Sequence, residues 1–361
     1  MIRRLALLLA FFIATAAAAE EEKILNVLNW SDYIGPTTIA DFEAEFGIKI
    51  NYDLYDSTEI VEAKLLAGQT GYDVVVHSVR YSARLFPIGV YRRLDRDQLP
   101  LWKNLDPWVL NVMADYDPGN LYGVPYMWGT TGFAYNIDMV KARMPDAPLN
   151  SGDMIFNPDV VSKFADCGVT LLDEPTDVIA LVMLYLGHDH NSMDPAHIAE
   201  VEAQLKSVRP YLRYFSSARM MNDLPNEEIC VAMSWSGDYA AAMARATEVG
   251  LDINLAYSVP SEGTVLWIDG LFIPSDAPHP NNAHLFINYL MRPDVIAAIS
   301  DLTRYANANL ASIPLMDPKV AEDPAVYTPV SEREQMVTGR IFGPKLERRR
   351  SRAWARIKTG L

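Results

Sequence analysis

Three short clusters in the sequence pair an indole with a carboxylate: Trp30-Ser31-Asp32-Tyr33, Trp235-Ser236-Gly237-Asp238 and Trp267-Ile268-Asp269. Tyr126-Met127-Trp128 and Tyr305 add further aromatics in segments that read as loops. Indole faces attract ammonium groups by about 0.5–2 kcal/mol each. A buried ammonium also needs carboxylate acceptors, because an unpaired buried charge is costly. A linear diamine would therefore want aromatic walls along its methylenes and acids at both ends. Each cluster taken alone has a plainer reading, a packed tryptophan beside a helix-capping carboxylate. Asp32 would then cap the turn that follows it, and Asp238 would start a helix Tyr239–Glu248. Three clusters at the ends of strands, with no catalytic set to rival them, point to a cation cleft.

Rival chemistries find less support. A hydrolytic nucleophile needs a base in reach, but none of the six histidines stands in a GxSxG elbow or an HExxH pair. His188-Asp189-His190 has the look of a metal cluster but lies in a polar stretch with no matching ligands, so no metal is expected. Paired carboxylates would suit a glycosidase only at a defined separation, which a sequence does not give. No GxGxxG follows a strand and no GxxxxGK[ST] occurs, so no nucleotide cofactor is expected. With 31 Lys+Arg against 46 Asp+Glu, the chain carries a formal charge of −15, which argues against a nucleic-acid partner. Acidity suits a cationic ligand and is equally an ordinary route to solubility.

The elements that must position these clusters alternate in type. Ile24–Trp30 reads as a strand, TTIADFEAEF as a helix ended by Gly47, and Ile48–Leu54 as a strand. Thr58–Ala67 reads as a helix ended by Gly68, and Tyr72–His77 as a buried strand. The style repeats in the middle, with strands near 169–172 and 229–234 and helices over Thr176–Leu186 and Ala199–Val208. WIDGLFIP is a later strand, followed by helices near Asn282–Leu290 and from Pro293 to Asp301. The basic end, Lys345 to Lys358, reads as a solvated helix closing a lobe. Such alternation gives an α/β fold with mostly parallel sheets, and 361 residues suffice for two lobes. Ligands of open α/β sheets lie beyond the carboxyl ends of the strands, where the clusters fall.

The first residues, MIRRLALLLAFFIATAAAA, have a basic start, an apolar stretch and a small-residue cleavage site. We expect a signal peptide over 1–19, with a membrane-anchored N-terminus as the alternative. Export favours one disulfide between Cys167 and Cys230 over a metal or catalytic site, with two buried free thiols as the alternative.

LNWSDYIGPTTIADFEAEFGIKINYDLYDSTEIVEAKLLAG resembles the start of periplasmic polyamine-binding proteins, putrescine-binding members in particular. The likeness continues through YDVVVHS, KNLDP, GVPYMWGTTGFAYN, LLDEPTDV, ICVAMSWSGD, NYLMRPDV and YANAN. It implies a class II periplasmic-binding-protein fold of two lobes, with two mixed or parallel sheets, flanking helices and a hinge. Lobe 1 would comprise 20–132 plus 258–304, and lobe 2 133–257 plus 305–361, with both cysteines in the second. The resemblance also implies capture of putrescine or a related small polyamine for delivery to the permease of an ABC importer, by a monomer in the periplasm with no cofactor and no chemical step. A sensory ligand-binding role is the alternative, an enzyme the remote one.

Carried over by motif, the ligand contacts would be Trp30, Ser31, Asp32, Tyr33 and Ser78 from one lobe, and Trp235 and Asp238 from the other. Asp269 would hold one ammonium, with Trp267 as an aromatic wall and Tyr305 as a late tyrosine. Asp177 stands where the family has a glutamate, so its acid is one methylene shorter. Arg80 stands where close putrescine binders carry a small residue. An arginine in a cation site repels the ligand or neutralises a carboxylate. If it points inward, the preferred ligand becomes an acylated diamine, agmatine or an amino-acid-like amine.

Overall fold

The computed structural model of the protein describes residues 21–31, 33–55, 57–340 and 342–360. The expected signal peptide and Asp32 lie outside the described residues. Strands β1 (Ile24–Trp30), β2 (Lys49–Tyr55) and β3 (Val74–Ser78) open the chain, each followed by a helix or turn that returns it to the same edge. The first helix, Thr38–Phe46, stops at Gly47, whose φ of 66° only glycine adopts without strain. The second, Thr58–Ala67, starts where the Ser57 hydroxyl accepts the Ile60 amide. These short helices force β1 to pair in parallel with both β2 and β3.

Next come β4 (Gly123–Asn136), β5 (Val169–Leu171), β6 (Leu212–Phe215), β7 (Val231–Trp235) and β8 (Leu255–Ser258). Strands β9 (Thr264–Phe272), β10 (Ala306–Asn307) and β11 (Met336–Thr338) complete the set. The strands join in the order β2-β1-β3-β9-β4-β7-β5-β6, with β8 and β10 on β4 and β11 on β9. The two halves of the sheet meet on β4. Its Gly123–Thr130 stretch pairs antiparallel with β9, and Thr131–Tyr135 pairs antiparallel with β7. The mixed α/β architecture with flanking helices is thus the expected one, with a single strand shared between the two sheets.

Two groups of buried apolar side chains fill the interior. One contains Leu25, Val27, Leu28, Val74 to Val76 and the aromatic set Phe42, Phe286 and Tyr289. The other contains Phe133, Phe156, Phe164, Val169, Val231 and the helix Pro175–Tyr185. The terminal helix Pro344–Thr359 is largely solvated but sets Ala353, Trp354 and Ile357 into the second group.

Two expectations change. Tyr126-Met127-Trp128 is not a loop: it lies in the middle of β4, whose fourteen residues are all buried. A strand covered on both faces shows no apolar alternation, and its glycines and proline read as loop. Segment 306–326, expected in the second lobe, packs with the first core through Ala306, Ala308, Met316, Val320 and Val326. The cause is local: helix Pro293–Thr303 ends at Arg304 (φ 61°), and β10 pairs at once with Met127 and Trp128 of β4. The cysteines behave as the export reading favoured, joined by a Cys167–Cys230 disulfide just before β5 and β7.

Candidate functional site

Strands β1, β3 and β7 end at Trp30, Ser78 and Trp235, and all three residues border one cavity of about 280 Å³. Parallel pairing aligns the carboxyl ends of β1 and β3, and β4 carries the second sheet around so that β7 faces them. Ser31 and Tyr33 follow β1 into the cavity, and Arg80 follows β3. Asp177 comes from the first turn of helix Pro175–Tyr185, and Asp238 from the first turn of helix Ser236–Glu248. Trp267 and Asp269 project from β9, and Tyr305 from the turn after helix Pro293–Thr303. Every expected site residue among those described is therefore brought together.

Two carboxyls stand against tyrosine hydroxyls. The Tyr33 hydroxyl donates to Asp269 Oδ2 at 3.0 Å, and that of Tyr305 donates to Asp238 Oδ1 at 2.5 Å. Burial pushes Asp269 up to about 7 and Asp238 up to about 6, more than the tyrosine hydrogen bonds pull them down. Burial likewise raises both tyrosines well above their ordinary value, so they remain donors. Asp238 does not cap its helix. The cap position is Trp235, and the carboxyl is turned to Tyr305. The chain passes closely here, for a Cβ on Gly237 would lie 2.3 Å from the Tyr305 ring. Aromatic faces surround the acids: Tyr305 meets Tyr33 and Trp267 edge-on at 5.8 and 5.1 Å, and Trp30 lies 4.2 Å from Tyr55.

A different cluster forms around Arg80, which points inward. Its Nη1 lies 3.5 Å from Asp177 Oδ1, its Nη2 is 3.4 Å from the Tyr81 hydroxyl, and its carbon centre sits 4.9 Å from the Tyr81 ring. Asp177 Oδ2 accepts from Thr131 Oγ1 at 2.8 Å and from Trp235 Nε1 at 3.0 Å. Burial works against the guanidinium charge, but Tyr81, Asp177 and Glu174 together hold Arg80 above its ordinary value. Burial and the nearby Asp177 raise Glu174.

Thr58, Tyr81 and Glu174 also line the cavity and were missed. Glu174 precedes Pro175 and reads as a helix cap, which it is, accepting the Thr176 amide at 3.1 Å. The pair Arg80-Tyr81 after a strand was the available signal for Tyr81. His188 lies apart, bound to Glu200 and stacked on His197. Among the described residues, no group of three or more His, Cys, Asp or Glu is placed to hold a metal ion, and no helix is long and apolar enough to cross a membrane.

The arrangement can hold a cation between paired carboxyls and aromatic faces.

Comparison with known proteins agrees. The putrescine-binding periplasmic protein PotF of Escherichia coli is 45% identical over 355 residues, covering 98% of this chain and 95% of the relative. The putrescine-binding periplasmic protein SpuD of Pseudomonas aeruginosa is 41% identical over 357 residues, covering 99% and 97%. Among solved structures, a putative spermidine/putrescine ABC transporter protein from Listeria monocytogenes superposes with a TM-score of 0.82 at 27% identity, covering 94% of this chain and all of that one. The sequence profile of the bacterial extracellular solute-binding proteins matches residues 37–328, and the chain belongs to that family.

Proposed function

We propose that the protein binds putrescine or a related small polyamine in the periplasm and delivers it to the permease of an ABC importer. The observation that carries this reading is the pair Asp238 and Asp269, two carboxyls raised by burial and set among Trp30, Trp267, Tyr33 and Tyr305 in one cavity. The ammonium of the ligand enters between them, and the aromatic faces cover its methylenes. Ser31 and Ser78 supply polar contacts at the rim, and Asp32 is proposed as a further acid on the β1 side. The relatives named above as putrescine-binding periplasmic proteins support the ligand class, the compartment and the transport role. Cleavage of the first 19 residues and a monomeric state complete the proposal. The two lobes divide across β4, with 306–326 assigned to the first. Because Ser78 and Asp269 come from one side and Asp238 from the other, a ligand that touches both stabilises the closed arrangement. Calorimetric titration of the ligand-stripped protein with putrescine, spermidine, cadaverine, agmatine and 4-aminobutyrate is the test. One-to-one binding of at least one amine is expected, and silence from all five overturns the reading.

The raised carboxyls set a pH dependence. Both must lose a proton to hold an ammonium, so amine affinity falls by about tenfold or more between pH 8 and pH 6, with proton release that calorimetry in buffers of different ionisation enthalpy detects. Without ligand the sign reverses. A carboxyl raised in the folded state favours folding fully below its unfolded value, and that contribution is lost as the pH rises through about 6 to 7. A flat affinity across this range would remove Asp238 and Asp269 from the site.

A further inference from the structure

Arg80 sets a fixed cation inside the cleft that we read as an amine site, and the inference below rests on that reading. The residue is 9% exposed and lines the 280 Å³ cavity. It is held by the Tyr81 ring, by Asp177 and by the backbone of Gly339, where an added Cβ would lie 2.7 Å from Nη1. Its donors are nevertheless thinly used. A guanidinium has five N–H groups and no acceptor. Here the contacts to Asp177 and to the Tyr81 hydroxyl are long, at 3.5 and 3.4 Å, and the buried Nε has no partner. The buried Nε1 atoms of Trp30 and Trp267, in the same cavity, are unpartnered as well. Buried polar groups in native proteins are almost always paired, and three unpartnered donors on residues that line one cavity require a reason. A fully protonated diamine satisfies none of them, because an ammonium only donates.

We propose that the ligand is a primary amine whose other end carries a hydrogen-bond acceptor, a carbonyl or carboxylate, in place of a second ammonium, and that Arg80 selects it. The ammonium meets Asp238 and Asp269, whose hydrogen bonds come from tyrosine hydroxyls and not from a protein cation, although the Arg80 charge acts on Asp269 from a distance. The acceptor meets the guanidinium and the indole N–H of Trp30, which together with Arg80 borders both this cavity and the one adjoining it. Asp177 does not compete for the amine: Thr131 and Trp235 hold one of its oxygens and Arg80 faces the other. A second ammonium would instead meet the buried Arg80 charge, and like charges at close range repel. The tail has room. A second cavity of about 630 Å³ adjoins the first and shares Trp30, Thr58, Arg80, Tyr81, Glu174 and Trp235 with it, so a chain passing the guanidinium enters open space.

Titrating the wild-type protein with putrescine, 4-aminobutyrate and N-acetylputrescine tests the proposal without any variant. One of the acceptor-bearing amines is expected to bind tighter than putrescine by about tenfold or more. N-acetylputrescine in front assigns a neutral carbonyl to the Arg80 end, and 4-aminobutyrate in front assigns a carboxylate. Arg80→Ala, checked for folding by its melting curve, is expected to reverse the order in favour of putrescine, since Asp177 and Glu174 are then freed for an ammonium. Putrescine binding the wild type at least as tightly as both others overturns the proposal and leaves the amine site standing. If no amine binds, the amine reading itself falls and takes the proposal with it.

Discussion

Replacing Asp269 with asparagine lowers the affinity for a short primary amine by roughly thirtyfold or more, because truncating one partner of a buried charge pair costs about 2–5 kcal/mol. The substitution is selective because the carboxyl is already pushed up to about 7 by burial, so near neutrality its uncharged form is well populated. An amide has nearly the same shape as that form. Its oxygen can still accept the Tyr33 hydroxyl, now 3.0 Å from Oδ2, and β9 keeps its pairing with β3 and β4. The folded protein should therefore melt no lower than wild type at pH 8 while losing the ligand. Calorimetry beside a melting curve makes the comparison. An affinity within about threefold of wild type would sink the assignment, since no buried charge pair is so cheaply removed.

The largest effect on stability falls at the opposite end of the second sheet's strands. Cys167 and Cys230, separated by 63 residues, are joined just before β5 and β7, with their Cα atoms 5.5 Å apart. The Cys230 amide also donates to the Gly168 carbonyl at 2.9 Å, so backbone and disulfide pin the same corner. Closing a loop of that length removes unfolded-state entropy worth about 4 kcal/mol. Replacing both cysteines with serine should lower the unfolding free energy by about 2–4 kcal/mol in denaturant titration. Ligand affinity should stay within about twofold, because the site lies at the carboxyl ends of β5 and β7 and the disulfide at their amino ends. A double variant as stable as wild type would refute the stabilising role.

The strands that deliver the site were legible because each combines a β-branched or aliphatic run with a polar break. Ile24–Trp30 and Thr58–Ala67 fall where the pattern puts them. Other elements differ by a residue or two, as with Val74–Ser78 against an expected Tyr72–His77. β4 was not legible, because burial on both faces erases the alternation that marks a strand. In the site, tryptophan beside aspartate was a usable signal, and the capping alternative for Asp238 fails on its bond to Tyr305. Glu174 was hidden because one carboxylate serves two purposes, capping a helix and lining the cavity. The inward direction of Arg80 was open in the sequence. It is settled by contacts with Asp177, ninety-seven residues away, and with the backbone of Gly339.

The continuity of β4 has a mechanical consequence. An extended strand is close to its full length at about 3.3 Å per residue, so it behaves as an inextensible strap. The two halves it joins can tilt or twist about one another, but they cannot draw apart. The fulcrum lies near Thr130 and Thr131, where β4 changes partners from β9 to β7 and where the Thr131 hydroxyl grips Asp177. Displacement in such a lever grows with distance from the pivot. Residues held to the strap, such as Asp177, would travel little, and the surfaces remote from it would sweep the longest arc. A partner that must tell a loaded molecule from an unloaded one would read those surfaces and never need to reach the ligand.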